Sequence, residues 1–352
     1  MAIPHLISDC QSGITILTSR NMVPVTKKVA SLLSKRNVPT EYSKKWIIES
    51  KLFDDGELCP TIHANVRDKV VFLFWDFTPK NFTGHLNERV IELLLVLDAL
   101  RIAKARSVNL IMPYFPYARQ DRKMKSRQPI SAKWLAKKLE EVGIIDQLLV
   151  FDLHAPQITG FFDDIHVENI PGHVIFAPFF RQKFAKAIGK GKLRIMSTDV
   201  GGSKRARDCA ELVAPNLDIS IVDKRRDQHS TKAMKIVGDV SHTMIALDDI
   251  GGTMGSMLSA CELAEKEGAK IVVGAITHNV CCPKHGTTAE EKIALAGRPI
   301  YTLDTLPRGR DYYKSNPLIT PIPYHDFIAA AIEEMVTVNG SVGSLIRDWT
   351  AL

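Results

Sequence analysis

Short apolar, β-branched runs alternate with amphipathic helical stretches along most of this chain, and that alternation leaves few folds open to it. Val70 to Trp75 reads as a buried strand, Asn87 to Ala105 as a helix with Val90, Ile91, Leu94, Leu97 and Ile102 at helical spacing, and Ser107 to Met112 as the next strand. Ser131 to Val142 follows as a helix and Gln147 to Asp152 as a strand. Strands separated by helices require crossover connections, so the sheet is expected to be parallel and the class α/β. Turn residues interrupt the periodicity at Ile170-Pro171-Gly172-His173, and the pattern then restarts. Leu193 to Ser197, Ile219 to Val222, Thr243 to Leu247 and Ile271 to Ile276 read as strands, with helices over Gly202 to Leu212 and Ser256 to Glu267. Two α/β domains are expected, 1–170 and 171–323, with a closing helix near Tyr324 to Val336.

The 352 residues suit two domains of ordinary size, and 45% hydrophobic with 24% charged residues describes a globular protein with ample core. The net charge of +7 favours anionic ligands. Its basic residues cluster in loops, without an arm or motif for a duplex, so nucleic acid is not an expected partner. Cysteines 10, 59, 209, 261, 281 and 282 have neither disulfide-framework nor zinc spacing, and read as reduced thiols of a cytoplasmic protein. Met1 to Gly13 lacks the build of a signal peptide. The most apolar stretch, Val90 to Leu97, is far short of the roughly 20 residues a bilayer requires, so no membrane association is expected.

Met112-Pro-Tyr-Phe-Pro-Tyr-Ala-Arg-Gln-Asp-Arg-Lys123 carries the densest chemistry. Prolines stiffen this segment, Tyr114, Phe115 and Tyr117 offer faces for a base, and Arg119, Arg122, Lys123, Lys125 and Arg127 offer grips for phosphate. A nucleoside triphosphate suits that combination. Asp248-Asp249-Ile-Gly-Gly-Thr-Met-Gly-Ser256 joins a strand to a helix through glycines, the build of a phosphate cradle at a helix N-terminus. Its two carboxylates would repel phosphate and are expected to serve sugar hydroxyls or a metal. Ser197-Thr-Asp-Val-Gly-Gly-Ser-Lys-Arg-Ala206 has the same build, with Asp199 the natural metal contact. Asp152 and His154 are expected on one side of an extended chain, facing one ion, with Asp163, Asp164 and Glu168 near. Lys224 and Arg226 project together from a strand end, and Asp227 to Lys235 is polar enough for a mobile lid.

Together these segments resemble the ribose-phosphate pyrophosphokinases, over roughly Lys51 to His278. The most specific blocks are Tyr114 to Lys123, its continuation Lys125-Ser-Arg-Gln-Pro-Ile-Ser-Ala132, and Asp152-Leu-His-Ala-Pro-Gln-Ile-Thr-Gly-Phe-Phe-Asp163. The resemblance implies two phosphoribosyltransferase-type domains, each a mainly parallel sheet flanked by helices, with ATP on the first and ribose 5-phosphate on the second. It implies transfer of the β,γ-diphosphoryl group of ATP to the anomeric hydroxyl of ribose 5-phosphate, with Mg2+ as cofactor. Phe53, Asp55, Gly56 and Glu57 match the adenine-side loop, which a neighbouring subunit supplies, implying self-association from dimer to hexamer. Arg119, Gln120, Asp121 and Arg122 match the ATP side. Asp248, Asp249, Gly252, Thr253, Met254, Gly255 and Ser256 match the ribose 5-phosphate loop. Asp152, His154 and Asp163 match positions around magnesium, Asp199 a position near a second ion, and Lys224 and Arg226 the catalytic pair.

The chain departs from the family pattern at several positions. Gly252 replaces an acid and Ser256 a threonine in the ribose-phosphate loop, Thr198 stands where proline is usual, and Arg225 replaces a common glutamate. Asp163 to Glu168 carries one extra residue, and the region after Cys281 matches poorly. A non-catalytic regulatory homologue and a phosphoribosyltransferase are the alternative readings. The first tends to lose cations and ligands that this chain retains, and the second does not need the Tyr114 to Lys123 block.

Overall fold

This computed structural model describes residues 13–78, 86–225 and 233–351. Cys10, Arg226, most of the stretch read above as a lid, and nearly all of the amino-terminal segment lie outside the described residues. The chain divides into two units, 1–170 with 325–347 and 171–324 with 348–352.

The first unit is built on strands β1 (Ile14–Thr18), β2 (Thr40–Glu41), β5 (Val70–Phe74), β6 (Ser107–Ile111), β7 (Ile145–Phe151) and β8 (His166–Ile170), and on a separate antiparallel hairpin of β3 (Glu49–Leu52) and β4 (Leu58–Thr61). Helices α1 (Val23–Lys35), α2 (Leu86–Ile102) and α3 (Ser131–Glu141) connect them. The six strands form one sheet in the order β2-β1-β5-β6-β7-β8, and every pairing in it is parallel. Parallel strands covered on both faces need apolar side chains on both, which is why β5 is Val-Val-Phe-Leu-Phe and every residue of it is buried.

The second unit contains α4 (His173–Lys183), α5 (Ala185–Ile188), β9 (Leu193–Ser197), α6 (Ser203–Val213), β10 (Ile219–Arg225), β11 (Ala233–Val237), β12 (Thr243–Ile250), α7 (Gly255–Lys266), β13 (Ile271–His278), α8 (Ala289–Ala296), β14 (Ile300–Leu303), α9 (Arg310–Ser315) and β15 (Ile319–Ile322). Its sheet runs β11-β10-β9-β12-β13-β14-β15 and is parallel except for β11. Helices α6 and α7 bury Ala206, Cys209, Ala210 and Val213, and Met257, Ala260, Cys261 and Ala264. Both sets fall at i, i+3, i+4, i+7, one stripe of a helix turned to the sheet. Helix α10 (His325–Val336) returns to the first unit, where Phe327 meets Phe151 edge-on with ring centres 6.3 Å apart. The last helix, α11 (Val342–Ala351), is divided between the units.

One expectation changes here. Residues 233–235 are not part of a lid but open β11, whose pairing with β10 (Lys224 opposite Met234) satisfies the backbone that a free loop would leave to water. The region after Cys281, which matches the family pattern poorly, holds α8, β14, α9 and β15. Thr288 starts α8 with a capping box, its side chain accepting from Glu291 N–H while the Glu291 carboxylate accepts from Thr288 N–H. Among the described residues no helix is long and apolar enough to cross a membrane, and the described cysteines are free thiols.

Candidate functional site

Strand order locates the site in the second unit. From β9 the chain proceeds to β10 and β11 on one side, whereas β12 to β15 build outward on the other. The order therefore reverses between β9 and β12, and ligands of open α/β sheets bind at the carboxyl ends of the strands flanking such a reversal. Those ends carry the two glycine loops. Ser197 closes β9 opposite Leu247 of β12, so the 198–202 and 251–254 loops leave neighbouring strands side by side.

In the 198–202 loop, Asp199 Oδ1 accepts from Gly202 N–H at 3.0 Å and Ser197 Oγ donates to Asp199 O at 2.6 Å, which folds the turn into the start of α6. A Cβ on Gly202 would come within 2.7 Å of Ser197 Oγ, so glycine is required there. Asp199 is exposed and spends one oxygen on the turn; the other can serve an ion. In the second loop Gly251 N–H donates to His278 O at 2.9 Å, and Met254, with φ +60, caps α7. Among the described residues no acceptor takes the N–H groups of 252–256, which leaves a row of donors at a helix N-terminus. The Met254 side chain is buried in the core, so only its backbone faces this donor row.

The two aspartates ahead of this loop differ in surroundings. Asp249 is buried and paired with Arg205 of α6 at 3.6 Å. Asp248 accepts from Asp249 N–H at 3.0 Å and from the Thr198 hydroxyl. Burial first, then the adjacent Asp249 carboxylate, hold Asp248 well above the usual carboxylate range, against the downward pull of Thr198 and Arg205. A carboxyl raised in this way destabilises the folded state where it must be charged, so the cost is full above the raised value and vanishes as pH falls to the unfolded one. Asp248→Asn is therefore expected to raise the melting temperature by roughly 3–6 °C at pH 8, a gain that shrinks as the pH falls toward 5. Thermal melts of both proteins across that range check it; a gain independent of pH would contradict the assignment.

In the first unit the cationic block follows β6. Arg119, Arg122, Lys123, Lys125 and Arg127 are exposed, and none is held in an ion pair with a described residue, so their charge is available to an anion. Gln120 Oε1 accepts from Ser131 Oγ at 2.7 Å and Asp121 Oδ2 from Gln157 Nε2 at 3.3 Å, which ties the block to α3 and to the segment after β7. The expectation that its aromatics stack on a base does not hold for Tyr114 and Phe115. They are 8% and 2% exposed, with Phe115 edge-on to Phe162, because hydrophobic burial claims the rings and leaves the cations outside. Tyr117, half-buried at φ +60, leans on Trp134 and donates to Asn87 Oδ1 at 2.6 Å.

Phe53 to Glu57 form the tip of the β3–β4 hairpin. Phe53 N–H donates to Glu57 O and Gly56 N–H to Phe53 O, each at 2.9 Å, Asp55 Oδ1 accepts from Glu57 N–H at 3.1 Å, and Gly56 supplies the φ of +93 that closes the turn. Phe53 remains 40% exposed, with Lys51 Nζ 4.2 Å from its ring centre. A cavity of about 590 Å³ is walled by this hairpin, Trp75, Arg89 and Glu92. Arg89 is already paired with Asp76 and Glu92 and lies over Trp75, so this arginine is not spare for a polyphosphate. Sequence reading passed over this buried cluster, since Trp75, Asp76 and Arg89 meet only through packing.

The proposed ion ligands are less gathered than expected. Asp152 is buried with φ +42 and His154 is exposed, so the chain is not extended there and the alternation argument fails. Asp163 is exposed, its N–H donating to Glu140, and Glu168 pairs with His166 at 2.9 Å. Among the described residues no three His, Cys, Asp or Glu side chains group tightly enough to hold an ion alone. Lys224 stands near the end of β10, next to β9, and Arg226 is outside the described residues.

A family model described as the N-terminal domain of ribose phosphate pyrophosphokinase matches residues 14–143. The ribose-phosphate pyrophosphokinase of Campylobacter jejuni is 42% identical over 247 residues, covering 69% of this chain and 74% of that protein. The Bacillus caldolyticus protein of the same name is 37% identical over 277 residues, 78% of this chain and 81% of its own. A crystal structure of phosphoribosylpyrophosphate synthetase from Mycobacterium smegmatis superposes with a TM-score of 0.77 at 27% identity, covering 92% of this chain and 98% of that one.

Proposed function

The chain belongs to the ribose-phosphate pyrophosphokinase family, and on that premise we propose that it transfers the β,γ-diphosphoryl group of ATP to the anomeric hydroxyl of ribose 5-phosphate, giving phosphoribosyl pyrophosphate and AMP. The observation that carries this reading is the pair of glycine loops at the strand-order reversal between β9 and β12, headed by Asp248 and Asp249. A row of amide donors beside carboxylates suits a ligand with phosphate at one end and hydroxyls at the other.

The 252–256 amides and the Ser256 and Thr253 hydroxyls receive the 5-phosphate, and Asp248 and Asp249 take ribose hydroxyls. Phe53 stacks on adenine while Asp55 and Glu57 read its edge, and self-association lets this exposed tip serve a neighbouring copy. Arg119, Gln120, Asp121 and Arg122 hold the ATP side. Asp152, His154 and Asp163 are oxygen and nitrogen donors that fit magnesium, and Asp199 fits a second ion; magnesium takes few protein ligands and completes its shell with water and phosphate oxygens. Magnesium held by these residues would supply charge neutralisation and orientation to the polyphosphate. Attack at the β-phosphorus spreads negative charge over phosphoryl oxygens, so the chain's part is positioning and charge stabilisation, with Lys224 and Arg226 supplying the cations.

Purified protein incubated with Mg2+, ATP and ribose 5-phosphate is expected to release AMP in step with phosphoribosyl pyrophosphate. Absence of AMP across a full range of inorganic phosphate concentrations would remove the assignment.

A further inference from the structure

The segment that follows β13 has no part in the reaction as derived so far, yet it holds the glycine loop from behind. Cys281 N–H donates to Gly251 O and Cys282 N–H to Gly252 O, each at 2.9 Å. In a trans peptide the C=O and N–H of one plane point in opposite directions. Pinning the Gly251 carbonyl therefore aims the Gly252 N–H, and pinning the Gly252 carbonyl aims the Thr253 N–H. These are donors at the head of the row assigned to phosphate.

The 279–282 turn is in turn held in place by residues far along the chain. Arg308 Nη2 donates to Asn279 O at 3.1 Å and to Val280 O. Its guanidinium lies 5.3 Å from the Tyr312 ring centre. Tyr312 donates to Glu290 Oε1 at 2.8 Å and accepts from Asn279 Nδ2 at 3.4 Å, while Cys281 Sγ donates to Asn279 Oδ1 at 2.8 Å. Cys281 itself sits at φ +48, a left-handed conformation that is strained for a non-glycine residue. Such a conformation persists only where its surroundings impose it.

We propose that Arg308 is a positioning residue for ribose 5-phosphate: it fixes the 279–282 turn, whose amides set the direction of the Gly252 and Thr253 N–H groups. The proposal rests on the ribose 5-phosphate reading of the loop, and it gives the carboxyl-terminal part of the second unit a role in substrate affinity. Arg308 acts through the turn: its Nη2 alone serves both carbonyls, and its Nε is buried with no partner among the described residues.

Arg308→Met and Arg308→Lys in the full chain test it. In the methionine variant the KM for ribose 5-phosphate is expected to rise about tenfold or more, with the KM for ATP within about twofold, since misaimed donors weaken only the ligand they contact. Lysine should fall between, because an ammonium keeps the charge but lacks the planar guanidinium that lies over the Tyr312 ring. Hydrogen exchange supplies a readout independent of turnover: the bonded amides of Gly251, Cys281 and Cys282 should exchange about tenfold faster in the variants, while those of β9 and β13 keep their protection. An unchanged KM for ribose 5-phosphate, an equal rise for both substrates, or unchanged exchange in the loop would each overturn the proposal. Were the methionine variant not to fold, the lysine variant carries the same comparison. Wild-type protein that makes no AMP would remove the catalytic reading alone, and the exchange comparison would still decide whether Arg308 sets the loop.

Discussion

Lys224→Ala is expected to lower turnover by about two to four orders of magnitude, the range for removing a preorganised charge aimed at a developing negative one. Lys224 is paired into β10 opposite Met234, so its backbone position is set by a strand. A cation held that way meets the transferring group without reorganising at the moment of reaction. The charge it balances grows mainly in the transition state, so KM for either substrate should change by no more than about threefold while kcat falls. Lys224→Arg is expected to retain part of the activity, because the charge survives on a bulkier fork. Steady-state kinetics on the folded variants check this, and a turnover equal to wild type would leave the proposed mechanism without its cation.

Gly251→Ala should be the most damaging single methyl group in the second unit. A Cβ at that position would lie 2.4 Å from Ile276 Cδ1 and 2.4 Å from Met254 Cε, both on side chains buried in the core. Neither can swing into solvent, and close-packed interiors do not absorb an added methyl freely. Met254 is also the cap of α7, so pushing it moves the donor row itself. The expected result is a KM for ribose 5-phosphate raised by about a hundredfold, the effect of a displacement near 1 Å, with a smaller change for ATP. Adding Ile276→Val, which removes one of the two obstructing methyls, should recover part of the loss. A double variant no better than Gly251→Ala would show that the obstruction lies elsewhere.

Much of the architecture was legible because each element announces itself locally. Leu193–Ser197 is a strand with the bounds its composition suggests, and α3, α6 and α7 begin and end within a residue or so of their apolar periodicity. The strand β11 was not legible, since its residues make sense only opposite β10. Helix α8 had a readable start in Thr288 and Glu291 that went unused, and the elements after it are short. At the site, the glycine loops and the exposed cations could be named from composition. The burial of Tyr114 and Phe115, the left-handed turn at Asp152, and the bond from Thr198 to Asp248 could not, since each depends on what packs alongside.

The sequence by itself determined where strands give way to glycine turns and helices, and which turns carry carboxylates or cations, because propensity and residue chemistry act over a few neighbours. Only the tertiary structure decided that β9 and β12 lie side by side, that Asp248 is shielded beside a second carboxylate, and that Cys281 and Cys282 brace the glycine loop. Backbone hydrogen bonds between strands use groups that every residue shares, so they leave no mark on the identity of their partners, and burial is a property of the assembled layers.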